Sequence, residues 1–171
     1  DITATNCLFY NCSDNLLTMG LGGTYVFNNC NFLNYGSVTS SHDKPNLLMS
    51  NVASNPARGQ IAYADLSATF TNCIIDGSLD EEIQLEEADE AAFLYRFENC
   101  LIKTERTTTP DSFINVIVNV NPQFKDRGED DFSLLSSSPC IDAGTSTTTT
   151  NDLLCMPRTG AIDIGAVEYQ P

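Results

Sequence analysis

The chain has 171 residues, the length of one ordinary domain, and 42% of them are hydrophobic, enough to bury a core. Eight basic residues against 23 acidic ones leave a formal charge of −15. That field opposes nucleic acid, anionic membrane surfaces and polyuronates, and it favours neutral ligands, cations or basic protein surfaces. No apolar run approaches the ~20 residues that span a bilayer, so no transmembrane segment is expected.

The predicted elements are punctuated by one phrase: an apolar residue, any residue, asparagine, then cysteine or valine. The chain opens inside it at Ala4-Thr5-Asn6-Cys7, with no initiator Met and no signal peptide, which predicts a processed protein or a piece of a longer one. The phrase returns at Phe27-Asn28-Asn29-Cys30, Met49-Ser50-Asn51-Val52, Phe70-Thr71-Asn72-Cys73, Phe97-Glu98-Asn99-Cys100 and Ile117-Val118-Asn119-Val120. The asparagines Asn6, Asn29, Asn51, Asn72, Asn99 and Asn119 step by 23, 22, 21, 27 and 20 residues, the signature of a repeat architecture.

Around each phrase, apolar residues alternate as they do in strands. Tyr25/Phe27, Leu47/Met49, Ala68/Phe70 and Tyr95/Phe97 precede the asparagine on one face. Cys7/Phe9, Cys30/Phe32, Cys73/Ile75 and Cys100/Ile102 follow it on one face. A third set, Leu17/Met19, Val38, Ile61/Tyr63 and Ile83/Leu85, keeps the same period. Three short strands per turn of about 22 residues, with apolar faces inward, predict an all-β parallel β-helix of about five coils. The asparagine fits a corner that needs left-handed backbone. Coils ~4.8 Å apart would let the asparagine side chains bond up a structural ladder.

The seven cysteines are an odd number, so they cannot all pair within the chain. Those of the phrase read as small buried hydrophobes with free thiols. On this period Val52 separates Cys30 from Cys73.

Between the strands, Asn34 to Gly36, Ser40 to Pro45 and Ser54 to Gly59 read as turns, and the longest insertions fall at Asp80 to Glu90 and Lys103 to Pro110. Insertions in solenoids gather on one side, often the binding side. The acidic stretch Asp80, Glu81, Glu82, Glu86, Glu87, Asp89 and Glu90 reads first as a solvated loop. Asp80, Glu86 and Asp89 are its candidate Ca²⁺ ligands, although the ligand spacing and turn glycine of a calcium loop are missing; no other cofactor is implied. Thr18, Thr39, Gln60, Glu82 and Gln84 fall on one polar strand face. Gln60, Glu82 and Gln84 are the candidate ligand-binding residues there, suited to a neutral glycan. No catalytic set recurs: basic residues are scattered, and no spacing selects a carboxylate pair such as Glu82 with Asp65 or Asp43. His42-Asp43 reads as a solvated turn.

The last fifty residues leave the repeat. Asn121-Pro122-Gln123-Phe124, Asp131-Phe132-Ser133-Leu134, Ser138-Pro139-Cys140-Ile141-Asp142-Ala143-Gly144, Pro157-Arg158 and Asp163-Ile164-Gly165-Ala166-Val167-Glu168-Tyr169 follow in order. This region resembles the C-terminal part of the bacterial choice-of-anchor Q surface proteins, which are similar to the pectin-lyase-like β-helices. The resemblance implies a right-handed parallel β-helix over residues 1–120 and a capping segment over 121–171. A solenoid starting at Asp1 would leave a sheet edge and core open, which predicts more coils before Asp1 or a partner over that end. The resemblance also implies a secreted or cell-surface protein, anchored at the bacterial outer membrane through a distant N-terminal part. Where such proteins usually carry glycine this chain has Cys155, which makes a Cys140–Cys155 disulfide plausible beside the resemblance. Asp142, Arg158 and Asp163 read as polar ties of the cap, and Thr145 to Thr150 as an exposed linker. The expected function is non-catalytic: binding a glycan or protein partner, or serving as an accessory part of an outer-membrane complex. The alternative is a polysaccharide lyase or glycoside hydrolase with active coils partly upstream.

Overall fold

The computed structural model of the chain describes residues 1–36 and 41–171; Val38, Thr39 and the start of the Ser40 to Pro45 turn lie outside them. The first coil is β1 (Ile2–Thr5), β2 (Leu8–Tyr10) and β3 (Leu17–Met19). The second is β4 (Gly23–Asn28), β5 (Asn31–Asn34) and β6 (Leu47–Ser50), and it carries an antiparallel hairpin of β7 (Val52–Asn55) and β8 (Gln60–Tyr63). The third is β9 (Leu66–Thr71), β10 (Ile74–Gly77) and β11 (Ile83–Glu86). Next come β12 (Phe93–Glu98) with β13 (Leu101–Ile102), then β14 (Phe113–Ile114) with β15 (Ile117–Val118). A second hairpin, β16 (Phe124–Asp126) and β17 (Asp131–Leu134), follows.

Like strands of successive coils pair in parallel, giving an all-β, β-helix-like stack of three sheets. Their orders are β1-β4-β9-β12-β14, β15-β13-β10-β5-β2 and β11-β6-β3. Registers repeat without slip, because a one-residue shift would turn every apolar side chain outward. Phe27, Phe70, Phe97 and Phe113 are cross-strand partners, with stacked rings 5.0, 4.8 and 5.2 Å apart. This column is the spine of the core.

The coil count near five stands, but two of the expected repeat phrases are misplaced. Phe27 pairs directly with Phe70, so the second coil is 70 − 27 = 43 residues long. Met49-Ser50-Asn51-Val52 is no corner of the first sheet; Leu47 and Met49 belong to the third sheet, opposite Leu17 and Met19. Ile61 and Tyr63 stand on the hairpin, 60% and 40% exposed, not in the core. A loop and a hairpin inserted in one coil together imitate a second period. At the far end the fifth corner is Phe113-Ile114-Asn115-Val116, since Asn99 donates its backbone N–H to Ile114 O. Asn119 instead ends the second sheet, bonded to Ile102 O.

The left-handed corner holds at Asn6, Asn29, Asn72, Asn99 and Asn115, with φ between 49° and 53°. The side-chain ladder does not. The asparagines bind the C-terminal segment rather than one another. Asn99 Nδ2 donates to Ala143 O (3.0 Å), Asn72 Nδ2 to Thr145 O (2.7 Å) and Asn6 Nδ2 to Asn151 O (2.6 Å), while Thr147 Oγ1 donates to Asn29 Oδ1 (3.1 Å). Residues 143–151 therefore form a strap running down the corner from the fourth coil to the first, with every second residue turned inward. The Thr145 to Thr150 run is part of this strap, not a free linker.

The segment from Asn121 lies along the side of the stack. Phe124, Phe132, Leu134, Cys140 and Ile164 pack on Leu33, Ile74 and Leu101, the outward face of the second sheet. Arg158 is buried and donates to Glu168 Oε2 (2.6 Å), Gly165 O (2.8 Å) and Asn6 Oδ1 (3.2 Å), and Asp163 accepts from the Asp142 and Tyr169 amides. The Cys140–Cys155 disulfide is not formed. Both thiols are free, Cys140 buried against the second sheet and Cys155 exposed on a left-handed turn. Cys7, Cys30, Cys73 and Cys100 occupy consecutive coils, so Cys30 and Cys73 are neighbours after all.

Candidate functional site

The connections that leave β10 and β13 of the second sheet run over 78–82 and 103–112. The β7–β8 hairpin lies instead on the connection from the third sheet to the first, so the insertions are divided between two corners of the stack. Between the connections 78–82 and 103–112 and the cap opens a cleft of about 450 Å³. Its polar lining includes Asp76, Asp80, Glu105, Lys103, Arg127 and Asn119. Asp76 projects from the outward face of β10 because Ile75 takes the inward face. Tyr35 donates its hydroxyl to Asp76 Oδ2 (2.6 Å), and the Arg127 guanidinium lies 4.6 Å from the centre of the Tyr35 ring. Burial pushes the Asp76 carboxyl above its ordinary range, against the pull of Tyr35 and Lys103. The Lys103 ammonium donates to Gly77 O (2.9 Å). Asn119 clamps the backbone of Thr104 with both side-chain atoms, which fixes this wall.

Beside the cleft lies a second group of side chains. Glu82 is fully buried and accepts hydrogen bonds from the backbone N–H of Asn46 and of Leu79, each 3.1 Å. Burial pushes its carboxyl up to about 8, opposed by those two amides and reinforced by the charge of Asp76. Gly77 makes room for it: a Cβ there would collide with the Glu82 carboxylate and Asn34 O. His42 is also buried. Its Nδ1 is 2.8 Å from Ser78 Oγ and its Nε2 is 3.3 Å from Glu82 Oε2. His42 thus belongs to a packed polar cluster, not to a solvated turn. Asn46, fully buried, ties the group together by donating to Phe32 O and Asp76 O.

The structure does not unite the residues expected on the polar face. Gln60 is exposed on the β7–β8 hairpin and Glu82 is turned inward by the bend before β11. Gln84 is half-buried on the third sheet and bonds to Glu86. Thr18 and Gln84 do share an outward face, with Leu48 between them. The face was a product of the misplaced coil. Asp80 lines the cleft, Glu86 ends β11 and Asp89 lies in the following turn. Among the described residues no three His, Cys, Asp or Glu side chains converge as metal ligands. Asn51 holds the acidic loop in place, donating to Ala88 O and Ala91 O. Tyr35, Asn46, Asp76 and Ser78 carry no signal in the sequence, because their contacts join separate coils. Among the described residues no helix is long and apolar enough to cross a membrane.

The chain matches no protein-family model and no curated protein.

Proposed function

We propose that this chain is part of a right-handed parallel β-helix similar to the choice-of-anchor Q surface proteins, secreted or held at the bacterial cell surface, and that it binds glycan in the cleft beside Lys103. The carrying observation is the cleft itself, whose volume of about 450 Å³ and mixed carboxylate, amide and cationic lining suit a ligand rich in hydroxyls. Sugar hydroxyls donate and accept, and the cleft offers partners for both roles. The charge of −15 directs the choice towards neutral sugars over polyuronates. Right-handed winding is supported by the parallel pairing of every coil, since parallel crossovers are right-handed in nearly all proteins. Calorimetric titration against a panel of neutral oligosaccharides tests this reading. Binding weakened at least about tenfold by Asp76→Asn supports it, by analogy with the loss of one charge-assisted hydrogen bond. A panel without any binder, or binding indifferent to Asp76 and Asn119, would discard it.

One observation favours the polysaccharide-cleaving alternative. Asp76 is a carboxyl that burial pushes above its ordinary range, the direction in which general acids are tuned. Glycan shortening by the wild type and not by Asp76→Asn would carry that reading.

A further inference from the structure

Ser78 stands between residues of the cleft wall: Gly77 and Asp80 both line the cavity. Ser78 is itself exposed, at the rim beside the cleft lining. Behind it, away from water, sits His42, and behind His42 sits Glu82. The distances run 2.8 Å from Ser78 Oγ to His42 Nδ1 and 3.3 Å from His42 Nε2 to Glu82 Oε2. The last contact is within ion-pair range but not aligned as a hydrogen bond, and Nε2 is buried with no other partner among the described residues. Nucleophile–base contacts are often loose until substrate binds. A buried imidazole set beside a buried carboxylate is a costly arrangement for a loop that needs no more than an anchor.

We propose that Ser78, His42 and Glu82 form a nucleophile–base–carboxylate relay at the edge of the cleft, directed at acyl esters carried by the glycan it holds. The natural acyl donor rests on the glycan-binding reading; the reactive serine does not. His42 Nδ1 takes the Ser78 hydroxyl proton as Oγ bonds to the ester carbonyl carbon. Collapse of the tetrahedral adduct breaks the bond to the sugar oxygen, and the proton on Nδ1 passes to that oxygen. Water then attacks the acyl-serine and gives a proton to Nδ1. The carboxylic acid leaves and the Oγ–H is restored. Lys103 Nζ, 2.9 Å from the carbonyl oxygen of the residue preceding Ser78, is the cation placed to offset charge on the adduct. Glu82 touches no substrate; it is a positioning residue whose charge, 3.3 Å from Nε2, favours the proton on Nε2 and leaves Nδ1 free to accept.

The relay has its working charge state when Glu82 is ionised and His42 is neutral. Asp76 raises the Glu82 carboxyl, while Lys103 and the amides of Asn46 and Leu79 lower it. Burial, with Lys103, holds the His42 imidazole low, against the backbone of Lys44 and Asn34 and the charge of Asp43. Activity therefore rises with pH through about 8, the range in which Glu82 ionises.

The test uses the folded chain with 4-nitrophenyl acetate and a fluorophosphonate label. Expected are one fluorophosphonate adduct per chain, mapped by mass spectrometry to Ser78, and hydrolysis reduced about 100-fold or more in Ser78→Ala, the scale of acid–base and nucleophilic assistance. The alkaline rise in rate disappears in Glu82→Gln, an effect that a merely structural Glu82 would not have. Equal hydrolysis by wild type and a folded Ser78→Ala, or an adduct anywhere other than Ser78, overturns the proposal. Retained oligosaccharide binding in Ser78→Ala separates its failure from that of the glycan reading.

Discussion

Replacing Asn72 separates what the corner asparagine does for its own backbone from what it does for the strap. Asn72 is fully buried, at φ 53°, and exchanges two hydrogen bonds with the Thr145 backbone, Nδ2 to O at 2.7 Å and N to Oδ1 at 2.8 Å. Asn72→Gly keeps the left-handed conformation but loses both bonds; at ~1 kcal/mol net per bond the loss is about 2 kcal/mol. Asn72→Ala loses the same bonds and keeps a Cβ in the left-handed region without the short polar side chain that lets asparagine tolerate it, which adds ~1 kcal/mol and brings the loss to about 3 kcal/mol. Against a typical domain stability of ~5–15 kcal/mol these are large effects. Urea unfolding followed by circular dichroism measures both, and limited proteolysis reads the strap. New cleavage within Thr145 to Thr150 is expected in both variants. If glycine and alanine destabilise equally, the corner argument is wrong. If the strap stays uncut and stability changes by less than ~0.5 kcal/mol, the strap does not depend on Asn72.

Other sites give independent checks. Phe70 stacks on both Phe27 and Phe97 whereas Phe113 stacks on Phe97 alone, so Phe70→Ala should lose near ~5 kcal/mol and Phe113→Ala near ~3 kcal/mol in urea unfolding. Arg158→Met leaves the Glu168 carboxylate buried without its guanidinium and should cost ~3–5 kcal/mol, more than the double change Arg158→Met with Glu168→Leu. The Glu82 carboxyl is raised in the folded state, so its contribution to stability is present below pH 4.5 and is lost as pH rises to about 8. The ceiling is (8 − 4.5) × 1.36, about 5 kcal/mol, and the stability difference between wild type and Glu82→Gln should shrink or reverse across that window. A thiol reagent should modify Cys155 at once and leave Cys140, whose thiol burial pushes up to about 12, untouched until the chain unfolds.

The legible and the hidden parts of this protein divide along the range of the forces involved. The corner asparagines could be read from the sequence because left-handed backbone is a property of one residue and its neighbours. The same holds for the alternation of Tyr25, Phe27 and their counterparts, which expresses the pleat of a single strand. The cleft was hidden because Tyr35, Asp76, Lys103 and Arg127 come from three coils and the cap, and no spacing links them. His42 looked like a turn residue beside Asp43; only packing against Glu82, forty residues away, removes it from water.

By itself the sequence determined the alternating strand faces of the first two sheets and the corners at Asn6, Asn29, Asn72 and Asn99. Tertiary structure decided which phrase stacks on which. A parallel ladder pairs strands through space and tolerates insertions in any connection, so a coil of 43 residues can pass for two. It also decided what the asparagines bind. Their amide groups could bond to one another or to a passing strand, and the strap at 143–151 takes them because its own backbone donors and acceptors need partners when laid against the stack.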